Sequence, residues 1–203
     1  MTVPPGGDAV PVAIGLASRE TAGRDGLTRD HLRRLFADLA EGHHDAVEPL
    51  YRPTADRIYG LALWRTRSAE DAGDVVQEVF LRLVAGRLRL RFVLDPRAWL
   101  LGLAHHIAAD LARSRKRRAA DPLDEAPLLV APERDEARGI EAARASRLLA
   151  RLPPAQREAI YLKHFEDCTF REIGRITGVP TFTAASLYRL GIARLRRIME
   201  EPS

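Results

Sequence analysis

A single cysteine, Cys168, stands in the whole chain, so no internal disulfide can form, and no second Cys lies near a His at zinc spacing. That usage suits a reducing cytoplasm. Lysine is scarce as well: Lys116 and Lys163 are the only two among 32 basic residues. Arginine suits phosphate forks, although a GC-rich genome produces the same bias. Long apolar runs are missing. The longest, residues 98–104, stops at His105, far short of the roughly 20 residues a bilayer span needs. No basic segment precedes the short apolar stretch near the N-terminus, and prolines and glycines interrupt it. Residues 1–27 are therefore expected to be a flexible tail rather than a signal peptide. Missing too are a phosphate-cradling glycine loop, a nucleophile elbow and a His-Glu-x-x-His helix. Cys168 precedes a helix start that could lower its pKa, but with no His partner evident it reads as a small buried thiol. The chain is expected to be no enzyme and to need no metal or cofactor.

What is present is a chain of 203 residues, 46% hydrophobic and 30% charged, with a net charge of +4. Those proportions fit a soluble protein of two small domains. Thr28 can cap a helix carrying Leu32, Leu35, Phe36 and Leu39 at helical spacing. A second helix is expected over 45–65 with Leu50, Ile58, Leu61 and Leu63, kinked or broken at Pro53, which lacks a backbone donor. A third begins at Ser68. Ser68 and Asp71 form a capping-box-like pair, and Ala72, Val75, Val76, Val79, Phe80 and Leu83 make one apolar stripe down to Gly86. Asp95 followed by Pro96 opens a fourth helix, to about Arg117. Leu88, Leu90 and Phe92 alternate with arginines, but with no partner strand nearby the segment reads as a loop.

These elements make a first domain over 28–118. From 119 to 138 the pattern dissolves into prolines and acids; 121–136 holds six acids against Arg134 alone, a net charge of −5, and reads as a linker. A second domain, 139–203, is expected to be helical over 140–151, 154–165, 170–177 and 181–200. The fold class is all-α, without internal repeats.

Two stretches point to nucleic acid. Thr169 and Glu172 form a capping box that starts a short helix with Ile173 and Ile176 inward. Gly174, Gly178 and Ala184 have the spacing of a helix-turn-helix, whose second helix enters the major groove. Gly178 supplies the turn and Val179 fills it. The helix after Pro180 turns Ala184 and Leu187 inward and leaves Thr181, Phe182, Thr183, Ala185, Ser186 and Arg189 outside. A helical hairpin that merely packs is the competing reading. Because Arg189 is the only base on that outer face before Arg194, affinity must be supplemented elsewhere. The second stretch, 82–118, holds ten basic residues and two acids, a net charge of +8. Phe92 and Trp99 lie among them, and a basic surface with aromatics can track a backbone and stack unpaired bases. Trp99, with Leu100 and Leu103, equally suits a core. A membrane-surface role for 113–118 lacks a bulky apolar face. His105 and His106 are not expected to make a metal site, since adjacent helical residues diverge by about 100° and Asp110, four residues after His106, is the one acid at that spacing.

The segment 50–118, with DAGDVVQEVFLRLV at 71–84 and DPRAWLLGLAHHIAADLARSRKRR at 95–118, resembles the second conserved region of extracytoplasmic-function sigma factors. The segment 149–199, beginning LARLPPAQREAIYLKHF, is similar to their fourth region. The resemblance implies that Asp71, Asp74, Gln77, Glu78, Phe80 and Leu81 dock on core RNA polymerase. It implies that the loop 86–94 and the following helix, with Arg89, Arg91, Phe92, Arg97, His105, His106 and Arg113, open the minus-ten element of promoter DNA. The helix from Thr181, with Arg171 ahead of it, would read the minus-thirty-five element, and the acidic linker would run through the polymerase cleft. Many such relatives are held by an anti-sigma factor, so that partner is implied as well. The chain departs from the pattern at His105 and His106, where Arg-Asn is common, at Leu187, where a base is common, and at Phe182. The rival function, a stand-alone helix-turn-helix regulator, would need a dimerisation surface or a ligand domain, and the first domain resembles neither.

Overall fold

A computed structural model of the chain describes residues 28–118 and 148–200. The expected tail 1–27, the linker 119–138 and most of the helix expected at 140–151 lie outside the described residues. The chain divides into two compact units, and no strand occurs among the described residues.

The first unit holds α1 (Arg29–Glu41), α2 (Val47–Thr66), α3 (Ala69–Ala85) and α4 (Pro96–Arg118). Helix α1 starts where expected: the Thr28 hydroxyl accepts from the His31 N–H at 3.2 Å, satisfying one of the open donors of the first turn. It ends at Gly42, whose φ of 101° is the left-handed conformation that only glycine adopts without strain. Leu32, Leu35, Phe36 and Leu39 are all buried along one face. Each contributes about 1.5–3 kcal/mol by leaving water.

Helix α2 runs unbroken across Pro53, where a kink or break was expected. Proline removes one hydrogen bond near the helix start, and burial of Leu50, Thr54, Ile58 and Leu61 along the helix offsets it. Thr54 donates its hydroxyl to the Leu50 carbonyl at 2.6 Å in the same turn. Ala62, not Leu63, completes the buried face. Helix α3 opens on Ser68, which accepts from the Asp71 N–H at 3.1 Å. Helix α4 opens on Asp95, which accepts from the Ala98 N–H at 3.2 Å. Helix α2 packs against both α3 and α4.

Residues Arg87–Phe92 form a 3₁₀ helix rather than a loop. Its period of three turns only Leu90 into the core, at 2% exposure, against α1, whereas strand-like alternation would align all three apolar residues.

The second unit contains α5 (Pro154–His164), the start of α6 (Phe170–Thr177) as far as Ile173, and α7 (Thr181–Glu200), with residues 148–150 helical ahead of them. Proline at the first position of α5 loses nothing, because that donor has no partner in any helix. Helices α5 and α7 cross at Gly191, where a Cβ would lie 2.9 Å from Ile160 Cδ1 and 3.3 Å from Gln156 Cβ. Ile160, Leu162, Ile173 and Ala184 are fully buried in this unit.

Candidate protein-docking and nucleic-acid surfaces

Helix α3 divides its polar residues between two environments. Asp74, Gln77, Glu78 and Leu81 recur at three and four residues, so they share a face. With Ile107 and Leu111 of α4 they line an open groove of about 520 Å³. Leu81 is 64% exposed in it, and Glu78 accepts from Arg82 Nε at 2.6 Å. Such a groove, with an apolar floor and a rim of Asp74, Glu78 and Asp110 interspersed with Arg82 and Arg117, suits an amphipathic partner that carries charge. Asp71 and Phe80 are not part of it, contrary to expectation. Asp71 falls four and eight residues before Val75 and Val79 and is buried with them. There it meets Arg115 at 3.1 Å. Burial pushes its carboxyl above the ordinary range, and Arg115 opposes that rise. Phe80 is buried against the Tyr51 ring, the centroids 4.8 Å apart.

The 3₁₀ helix and the corner after it present an unusual surface. Phe92 and Leu94 are 70% and 80% exposed, beside Leu88, while Arg89 and Arg91 are exposed between them. The Arg91 guanidinium stands 4.7 Å over the Phe92 ring. The backbone beneath is held: Arg33 donates twice to the Leu94 carbonyl, at 3.1 and 2.8 Å, and Arg29 meets Asp95 at 3.4 Å. Apolar tips and cations on an anchored turn can stack splayed bases and meet the phosphates between them. Of the residues expected to join them on α4, His106 and Arg113 are exposed, the latter bonded to Asp110, and Arg97 is half-buried. His105 is buried, its ring edge-on to His106 with centroids 5.1 Å apart, because it continues the inner face carrying Leu101, Ala104 and Ala108. Trp99 is half-buried and meets Phe36 edge-on at 5.8 Å, so one side of it packs on the core. Sequence reasoning passed over the exposure of Leu88 and Leu94; a helix-breaking Gly86 followed by apolar residues outside the α-helical stripe was the available signal.

In the second unit the capping box is closed in both directions: Glu172 N–H donates to the Thr169 hydroxyl at 3.3 Å, and Thr169 N–H donates to Glu172 Oε2 at 2.7 Å. Gly178 turns the chain at a φ of 72°. Helix α7 then exposes Thr181, Phe182 and Arg189, with Thr183, Ala185 and Ser186 half-buried beside them, and Arg171 is exposed on α6. Arg189 donates to the Ser186 hydroxyl at 3.3 Å. Ala184 is buried as expected, whereas Leu187 is half-buried at the flank. One anchor of α7 was not legible in advance. His164 Nε2 lies 3.0 Å from the Tyr188 hydroxyl, and Phe170 packs on the same ring at 5.5 Å. Burial, aided by Lys163, holds the His164 imidazole below its ordinary value, and burial raises the Tyr188 phenol. The partners are far apart in sequence, and nothing local marks them.

Cys168 is buried, its N–H donating to the Leu162 carbonyl at 2.9 Å. No cluster of His, Cys, Asp and Glu suited to a metal, and no helix long and apolar enough to cross a membrane, occurs among the described residues.

Residues 50–118 match the sigma-70 region 2 family and residues 142–195 match sigma-70 region 4. The two matches together span more than half of the chain, in that order. Similar proteins include the ECF RNA polymerase sigma factor SigM of Mycobacterium tuberculosis, 28% identical over 81% of this chain and 83% of that protein. SigK of Mycobacterium ulcerans, also an ECF sigma factor, is 29% identical over 84% of this chain and 95% of its own length. The chain belongs to the extracytoplasmic-function sigma factors. Solved structures agree in fold with this sigma factor. The sigma factor RpoE of Bartonella quintana, in complex with the anti-sigma factor NepR, matches with a TM-score of 0.65 at 18% identity over 77% of this chain and 98% of that one. CnrH, in complex with the cytosolic domain of CnrY, matches with a TM-score of 0.61 at 24% identity over 84% of this chain and 98% of that one. In this sigma factor the region 2 match takes in most of α2, all of α3 and α4 and the exposed Phe92 corner. The region 4 match takes in α5, α6 and α7 to Leu195.

Proposed function

We propose that this sigma factor binds core RNA polymerase through the α3 groove and carries it to promoters in the cytoplasm, doing no chemistry of its own. The first unit, 28–118, opens the minus-ten element, with Phe92, Arg89 and Arg91 holding exposed bases and His106 and Arg113 following the backbone. The second unit, 139–203, reads the minus-thirty-five element with Thr181, Phe182, Thr183, Ala185, Ser186 and Arg189, while Arg171 meets phosphate. The linker 119–138 ties the two along the polymerase, and an anti-sigma factor is a further partner of the assembly. The observation that carries this reading is the pairing, in one chain and in order, of both sigma-70 regions. A stand-alone regulator would have no use for the first of them.

Size-exclusion chromatography of the protein with core polymerase tests it, and elution of the two as separate peaks would remove the sigma reading. A variant pair assigns the face. Asp74→Lys with Glu78→Lys places cations where the partner's cations must come and is expected to lower polymerase affinity about tenfold or more. Asp71→Asn, inside the unit, is expected to leave that affinity within about twofold. Titration of labelled protein with core polymerase distinguishes the two.

A further inference from the structure

Helix α7 runs on past Arg189 to Glu200, and its far end is built differently from its start. Arg194 and Arg197, with Arg151 from the turn ahead of α5, line a concavity of about 340 Å³ floored by Ile198. All three arginines are exposed, and neither Arg194 nor Arg197 has an ion pair with an acid among the described residues. Holding the Arg194 and Arg197 guanidinium groups near each other and near Arg151 costs free energy in the isolated protein, and that cost is recovered when an anion with several oxygens enters.

Position on the helix indicates which anion. Thr183, Leu187, Leu190, Arg194 and Arg197 succeed one another at intervals of four, three, four and three residues, which places them on one ridge of α7. The ridge leads from the helix-turn-helix end straight to the arginines. At about 1.5 Å per residue, Arg194 lies roughly 20 Å along the axis from Thr181, a separation of several phosphates on one strand. The outer face at the start of the helix carries Arg189 alone, too little charge for a DNA reader, since phosphate neutralisation supplies most of sequence-independent affinity.

We propose that Arg151, Arg194 and Arg197 form a phosphodiester-binding cradle that grips the DNA backbone beside the element read by the start of α7. It contributes affinity without sequence preference, because guanidinium forks on phosphate carry no base information. The proposal rests on the reading that the second unit binds DNA, and it adds contacts outside the helix-turn-helix.

The test uses the full-length protein and a fluorescent mixed-sequence duplex of roughly 40 base pairs, with anisotropy titrations from about 50 to 200 mM salt. Arg194→Gln with Arg197→Gln is expected to reduce the slope of log affinity against log salt by about two and to weaken binding about tenfold or more at the low-salt end. A control of equal charge change in the first unit, Arg34→Gln with Arg52→Gln, is expected to leave the slope unchanged. A slope unaltered in the α7 variant overturns the cradle, as does an equal fall in the control, which would mean general charge and not a site. Loss of core-polymerase binding by the α7 variant with DNA affinity intact also overturns it, assigning the arginines to an acidic protein surface. Failure of the wild-type protein to co-elute with polymerase would instead remove the sigma reading and leave the salt slope as measured.

Discussion

Phe92 is the side chain on which the proposed action of the first unit on DNA depends most directly. It is 70% exposed on an anchored turn, so its ring is available to a base at little cost in ordering. Stacking of one base on an aromatic ring contributes about 1–3 kcal/mol. Phe92→Ala is therefore expected to reduce promoter opening by the holoenzyme about fivefold or more while leaving the melting temperature unchanged, since an exposed ring contributes little to the core. Permanganate reactivity of unpaired thymines measures the first, and thermal unfolding the second. At this scale the sequence was only partly legible. Phe92, Arg89 and Arg91 were identified among the arginines and stand exposed. Asp71 and His105 were expected to meet polymerase and promoter DNA and are buried at 5% and 8%. Each lies near the edge of its helix's inner stripe, where a rotation of one residue decides between core and surface. A polar side chain there gives no sign of the partner, Arg115 or a neighbouring ring, that draws it inward.

Elements were more legible than single residues, because capping and periodicity are local. Thr28, Ser68 and Asp95 each cap the helix they were expected to cap, and Thr169 with Glu172 closes a reciprocal box. The failures are also local in origin. The 3₁₀ helix at Arg87–Phe92 has a period of three, which a sequence alternating at two does not reveal, and Pro53 costs one bond that burial of its helix outweighs. What orients α7 is not local: the His164–Tyr188 bond joins it to α5 across 24 residues. His164 has a pKa held below its ordinary 6.5 in the fold. The unfolded chain therefore takes up a proton more readily, so stability is full above about 6.5 and falls as pH drops from there toward the folded value. Thermal unfolding of the protein between about pH 7 and pH 5 is expected to register that loss, and His164→Gln is expected to lessen it. An unchanged acid profile in the variant would place the titration on another group.

At the scale of the molecule, the two units act on separate DNA elements in the proposed function, and a covalent tie makes the second contact intramolecular. A covalent connection supplies an effective concentration on the order of millimolar. Fragments 1–127 and 128–203 supplied separately at micromolar concentration are expected to support promoter-directed transcription about a hundredfold more weakly than the intact chain. Runoff transcription with core polymerase measures this, and full activity from the mixture would mean that the tie is dispensable. By itself the sequence determined that this protein is all helical, where most of its described α-helices begin, and that acidic, basic and helix-turn-helix segments follow in the order of a sigma factor. Those properties are written in spacings of three to four residues and in charge along the chain. Tertiary structure alone decided which acids of α3 face outward, which histidine is buried, where α5 and α7 cross at Gly191, and that Arg151 meets Arg194 and Arg197 around one concavity. Each of these depends on the rotation of a helix against its neighbours, which packing of distant side chains sets and local spacing does not record.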